Sequence, residues 1–286
     1  MAATTLAHAP AASTAEPPLS AAYTRLMSVL PMLRITEVTE PGALPGGEGW
    51  VSAEALASDP AVLDRFLAQD GAQMERDYAR TARPDVVASF SLHRYAWPAT
   101  LLITAPWFLL RRVPRFGPGD VSFHRDTGRI RARAESFACL PDDPAAQRPQ
   151  ARVVAGEEAL RAEVREAVAA HLGPVLDAFR PRMRRGPRAL WGAAADEIVE
   201  GLWYVGRLLG EEERAVAETS RLLPGATKRY PGGAAFRELT APGGQVLTTR
   251  DRSSCCLFYT LRPEDTCVTC PRTCDSSRIE RLTGRS

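Results

Sequence analysis

Five of the six cysteines fall between residues 255 and 274, in the order Cys255-Cys256, ten residues, Cys267-Val268-Thr269-Cys270, then Cys274. The preceding 250 residues contain only Cys139. Thiols this dense commit the C-terminal end to sulfur chemistry, and three kinds compete for the spacing. A Cys-x2-Cys turn is a common half of a structural zinc site, because two thiolates on a tight turn chelate one tetrahedral ion. The other half here is a vicinal pair, which is unusual for zinc. Cys267 and Cys270 are also spaced for thiol–disulfide exchange, but such motifs sit after a strand at a helix N-terminus, and the chain offers no clear setting of that kind. Four thiolates can also hold two irons bridged by sulfide, although the spacing matches neither common ferredoxin pattern.

Compartment bears on this choice. Residues 1–20 lack the basic and continuous apolar regions of a signal peptide and read as a disordered tail. The most apolar stretch, Tyr95 to Leu110, is interrupted by Pro98 and Pro106 and reads as a buried helix rather than a membrane span. Peripheral membrane contact is the minority reading. The expected location is cytoplasmic, where clustered cysteines serve as metal ligands or redox groups more often than as structural disulfides. The net charge of +2 does not suggest a nucleic-acid partner.

The 286 residues are enough to bury a real core. Helices are expected from Ser20 to Leu33, after an N-cap at Ser52, from Asp59-Pro60, and from Pro84 toward Trp97. Alternating segments flank Asp126-Thr127-Gly128, so residues 120–140 read as a β-hairpin. Apolar stripes at helical spacing run through Leu160, Val164, Val168, Leu172, Val175 and Phe179, and through Trp191, Ala194, Ile198, Leu202, Val205 and Leu209. They predict helices over about 157–180 and 188–209, able to pack as an antiparallel pair, with a third over 211–222. Residues 224–245, rich in Gly and Pro, read as a bridge. The expected fold is mainly α with one β-hairpin (α+β), divided into a tail (1–20), a mainly helical domain (21–245) and a C-terminal cysteine-rich, iron–sulfur-binding segment (246–286).

The pattern Cys255-Cys256-x10-Cys267-x2-Cys270, preceded by Arg252-Ser253-Ser254, with Tyr259 three residues after the pair and Pro271 after the last cysteine, resembles the C-terminal signature of ferric-siderophore reductases of the FhuF type. The vicinal pair makes this signature far more specific than a lone Cys-x2-Cys. His171-Leu172-Gly173-Pro174 and Leu190-Trp191-Gly192-Ala193-Ala194-Ala195-Asp196 are similar to that family's helical region. The resemblance implies a [2Fe–2S] cluster held by Cys255, Cys256, Cys267 and Cys270. Cys274 is the departure: a free thiol, a cluster neighbour, or a replacement for Cys270. The resemblance also implies the reaction, one-electron reduction of Fe(III) in a siderophore, usually a hydroxamate, to release Fe(II). Hard anionic oxygens suit Fe(III) far better than Fe(II), so reduction weakens the complex. No acid–base residue is required beyond the cluster.

Gly117-Pro118-Gly119 and Gly232-Gly233 do not make a dinucleotide fingerprint, so the expected electron donor is another protein, a ferredoxin or a reductase. Two other readings stay open: a zinc-stabilised, non-enzymatic binding or adaptor protein, and an iron–sulfur sensor. His171 reads as a core histidine, His93 and His124 as structural, and Cys139 as a buried inert thiol. Arg180 to Arg188 reads as a solvated loop, or as a face toward an acidic donor. Trp191 and Tyr204 read as helix packing, or as a siderophore pocket. Arg250 and Arg252 flank the thiols, where their charge would raise a cluster's potential.

Overall fold

The computed structural model describes residues 16–284. The tail read over 1–20 lies outside the described residues for 1–15. The chain begins with α1 (Ser20–Val29), β1 (Arg34–Glu37), β2 (Trp50–Ser52), α2 (Ala53–Ser58), α3 (Pro60–Tyr78) and α4 (Pro84–Leu110). It continues through β3 (Val113–Arg115), β4 (Val121–His124), β5 (Arg129–Ala132), β6 (Ser136–Cys139) and β7 (Ala151–Val153). Then come α5 (Glu157–Met183), α6 (Pro187–Leu208), α7 (Glu212–Leu222), β8 (Phe236–Thr240), β9 (Val246–Arg250) and α8 (Asp275–Leu282). The architecture is mainly α with small sheets.

Local chemistry explains the helix starts. The Ser52 hydroxyl accepts from the Ala55 amide at 3.0 Å, capping α2. Asp59 Oδ1 accepts from the amides of Ala61 and Val62 at 2.8 and 3.3 Å, and Pro60 then opens α3. Pro84 opens α4, with Arg83 held extended as a residue before proline prefers.

α4 runs past Trp97 to Leu110 through both internal prolines. From Tyr95 to Phe108 every residue but Trp97 is buried. Burial on all sides keeps the helix intact where an exposed one would break, and the Thr104 hydroxyl donates to the Thr100 carbonyl at 2.9 Å inside this stretch. α4 packs on both α5 and α6 more extensively than those two pack on each other, so it is the axis of the helical layer. Trp107, Phe108, Phe137 and Phe179 fill the core around it. Among the described residues no helix is long and apolar enough to cross a membrane.

The hairpin expected near residue 126 is β4–β5, antiparallel, with Val121 opposite Ala132 and His124 opposite Arg129. Gly128, at φ +63°, closes its turn, and a Cβ there would lie 2.2 Å from the Met32 carbonyl oxygen. Parallel β1 and antiparallel β2 extend this pair to four strands in the order β1-β5-β4-β2. A second sheet, β3-β6-β7, and a two-stranded β8–β9 hairpin complete the strands. The bridge read over 224–245 therefore contains a strand, with Phe236 paired to Arg250.

His171 and Cys139 sit in the core as read, each almost wholly buried. Tyr95 Oη lies 3.0 Å from His171 Nε2, and burial lowers the imidazole's pKa to about 4. The unfolded chain, with an ordinary histidine near pH 6.5, binds a proton that the folded core refuses, so stability falls as pH drops from about 6.5 toward 4. This one group accounts for a loss on the order of 3 kcal/mol across that window. Denaturant unfolding at pH 7 and pH 5 should show a smaller difference in His171→Leu than in wild type; an equal difference would remove His171 as the cause.

Candidate iron–sulfur site

α6 carries the residues that seat the C-terminal segment. Asp196 is fully buried and its carboxylate accepts four hydrogen bonds. They come from Arg250 Nη2 (2.7 Å), the Ser253 amide (2.9 Å), the Ser254 amide (2.8 Å) and the Ser254 hydroxyl (2.8 Å). One helical turn earlier, Gly192 lets the chain lie close: a Cβ there would meet Ser253 Cβ at 3.4 Å and its carbonyl oxygen at 3.5 Å. The Trp-Gly-Ala-Ala-Ala-Asp run and the Arg-Ser-Ser-Cys-Cys run are thus two halves of one contact. Asp196 fixes the backbone immediately before the vicinal pair.

Arg250 is also fully buried. It donates to Glu200 (2.9 Å) and to the Ala234 carbonyl (3.0 Å) besides Asp196. Its charge closes on two carboxylates, so it acts as a strut. Arg252 stands 3.7 Å from Asp196 and borders a cavity with Cys256, which makes it a cation beside the thiols.

The ten residues between the cysteine pairs dock on α3 and α4. Leu261 is buried with Met74 and Val86, and Leu257 packs alongside. Phe258 meets the rings of Tyr78 and Phe90 at 5.7 and 5.8 Å between centroids. Arg80 donates to the Leu261 carbonyl at 3.1 Å. The second pair sits on a tight turn in which the Cys270 amide donates to the Cys267 carbonyl at 3.0 Å. Arg278 of α8 ties this turn to β9, donating to the carbonyls of Cys270 and Arg250, both at 3.1 Å. α8 rests its Ile279 and Leu282 on Leu239 and Leu247 of the β8–β9 hairpin.

These supports bring the two cysteine pairs near enough to influence one another's charge. Cys256 and Cys267 interact, and sharing a proton between them lowers the Cys256 pKa to about 6 and raises that of Cys267. Cys255 is raised by burial, against the Leu257 amide that points at its sulfur from 3.4 Å, and it feels charge on Cys256 and Cys270. Cys267 feels charge on the same two. No cysteine is in a disulfide. Among the described residues no three His, Cys, Asp or Glu side chains converge on one ion-sized point. An all-thiol set of two facing pairs, one thiol already inclined to ionise, suits a cluster of two irons bound by thiolates.

Cys270 is 4 % exposed, whereas Cys256 and Cys267 border open cavities. One, of about 170 Å³, is walled by Ser89, Phe90, His93, Arg252 and Phe258. His93 is exposed, and its Nδ1 meets both Glu197 oxygens at 2.8 and 2.9 Å; the carboxylate raises the imidazole's pKa. The other, of about 200 Å³, opens beside Cys267 and is walled by Glu200, Trp203, Tyr204, Arg207 and Val268. Tyr204 is 45 % exposed. Trp191 is not on this shelf; it packs edge-on against Tyr230 at 5.6 Å. His124 lies against Trp50 in the four-stranded sheet.

Cys274 is exposed at the start of α8. Its sulfur meets the hydroxyls of Ser276 and Ser277 at 3.1 and 3.3 Å, which lower its pKa to about 7. Glu197 and Arg278 are residues around the thiols that the sequence reading missed, and His93, read as structural, lines the cavity beside Cys256. His93 and Glu197 are 104 positions apart, and nothing local marks either.

A search of curated proteins found no match for this chain. Residues 252–272 match the family model described as the FhuF 2Fe-2S C-terminal domain. The match includes Cys255, Cys256, Cys267 and Cys270 and stops before Cys274. Residues 252–272 are thus similar to a FhuF-type 2Fe–2S domain, and the cofactor is a [2Fe–2S] cluster.

Proposed function

We propose that the protein is a ferric-siderophore reductase in which Cys255, Cys256, Cys267 and Cys270 hold the cluster. Bound there, a [2Fe–2S] cluster supplies one electron at a time. The observation that carries this reading is the sidedness of the thiol group. Cys270 and Ser254 are buried, while the Cys256–Cys267 edge meets open cavities. A purely structural metal has no need of an open edge.

The shelf of Trp203, Tyr204 and Arg207 beside Cys267 suits the outer surface of a ferric hydroxamate. Hydroxamate monoanions balance the charge of Fe(III), so the complex is close to neutral and presents mainly carbon and amide surface. Aromatic faces bind such a surface without a strong net charge. The local charges are indeed balanced: Arg207 lies 3.9 Å from Glu212, and Glu200 is engaged by Arg250. The siderophore rests on this shelf with its iron toward Cys267, accepts one electron, and loses Fe(II) because its oxygens hold the softer, less charged ion poorly. The electron reaches the cluster from a protein donor, a ferredoxin or a reductase.

Tyr204→Ala should raise KM for a ferric hydroxamate by about 5- to 20-fold, the value of one aromatic contact, while leaving the visible spectrum intact. Anaerobic steady-state kinetics with a chemical reductant would measure it. An unchanged KM would move the substrate off the shelf.

A further inference from the structure

The end of α5, the turn after it and the start of α6 carry Arg180, Arg182, Arg184, Arg185 and Arg188, with no acidic residue among positions 180–188. Arg182 pairs with Asp64 at 2.8 Å. Among the described residues the other four form no ion pair with a carboxylate, and Arg180, Arg184 and Arg188 are exposed. This is unusual in a chain of net charge +2 whose other arginines are largely engaged. The turn also lies against the vicinal cysteines. Arg185 lines a narrow cleft with Met183, Ser254, Cys255 and Cys256. Arg188 lines an open groove of about 500 Å³ with Gly186, Ala189, Pro231 and Ser253. Exposed Arg229 lies 5.9 Å from the Trp191 ring of α6.

We infer that this arginine turn is the docking surface for an acidic electron-donor protein, which delivers its electron on the Cys255–Cys256 side. The inference rests on the reductase reading. It separates the two encounters in space: the donor meets unpaired cations at the vicinal pair, and the near-neutral ferric complex meets the aromatic shelf at Cys267. Unpaired surface charge costs little in water but steers an oppositely charged protein, raising the association rate. The step is outer-sphere: the donor loses one electron, the cluster gains it, and no bond forms or breaks. A lipid surface fits less well. Among the described residues the exposed large apolar side chains are Met32, Val153, Tyr204, Leu208 and Val246, and none belongs to this turn to insert beside the arginines.

The test uses the cluster-loaded full chain, with a reduced plant-type ferredoxin as the acidic donor and methyl viologen radical, a small cation, as the control donor. In wild type the second-order rate of cluster reduction by ferredoxin should be high at low salt and fall with ionic strength. R184E/R188E should lower that rate at least tenfold, flatten its salt dependence, and weaken binding of oxidised ferredoxin by a similar factor in a calorimetric titration. R184Q/R188Q should fall between. Reduction by methyl viologen, the visible spectrum and KM for the ferric hydroxamate should be unaffected. A ferredoxin rate within twofold of wild type, or no salt dependence in wild type, overturns the assignment, as does loss of anionic-vesicle binding with ferredoxin kinetics unchanged. Failure of the methyl viologen-loaded wild type to reduce any ferric hydroxamate would instead count against the reductase reading, because the ferredoxin measurement does not involve substrate.

Discussion

Asp196→Ala yields a protein that retains little or no cluster. The substitution removes the carboxylate that accepts from the Ser253 and Ser254 amides and strands the Ser254 amide and hydroxyl in the interior. It also halves the charge compensation of fully buried Arg250. Leaving a buried charge partly unpaired costs roughly 3–5 kcal/mol, a large part of a typical domain's stability. The loss acts where it matters for the cofactor, on the backbone that presents Cys255 and Cys256. Asp196→Asn keeps the shape and one acceptor but loses the charge, and its defect should be smaller. Iron per chain, visible absorption and guanidinium unfolding check both variants together. If Asp196→Ala kept full iron content, the seat on α6 would not govern the cysteine pair.

Cys267→Ser should abolish both the visible spectrum of the cluster and ferric reduction, whereas Cys139→Ser and Cys274→Ser should retain both. Cys267 is the thiol partnered with Cys256 and the one bordering both open cavities. Cys139 is buried far along the chain among apolar neighbours. Cys274 is turned to solvent and its sulfur is held by serine hydroxyls. Cys270, by contrast, is enclosed and its carbonyl is gripped by Arg278. Iron and sulfide analysis of the set decides between the two tail thiols. Retention of the cluster in Cys270→Ser with its loss in Cys274→Ser would exchange their roles.

The starts of α2, α3 and α4 were legible because Ser52, Asp59-Pro60 and Pro84 act through their own backbone neighbours. The stripes of α5 and α6 were legible because one face of each meets the core. The second half of α4 was legible as a buried helix from its apolar run, Tyr95 to Leu110, despite the two prolines inside it. Most strands were missed. They are three to five residues long, and segments such as Arg34–Glu37 and Phe236–Thr240 are too polar to signal a strand without their partners. The four motif cysteines were legible from spacing and resemblance. Their supports were legible only in part: Asp196 stood in a motif, but its role as acceptor for the Ser253–Ser254 backbone depends on two segments 57 and 58 positions apart. Arg278 and the His93–Glu197 pair are long-range contacts that no local pattern announces.

The most direct test of the central claim is a single turnover without air. Protein reduced by dithionite and freed of excess reductant is mixed with a ferric hydroxamate in the presence of an Fe(II)-specific chelator. The account predicts that the cluster's oxidised absorption returns as Fe(II) appears, one iron released for each cluster reoxidised. A colourless protein carrying zinc, or a reduced cluster that stays reduced beside intact ferric siderophore, would contradict it.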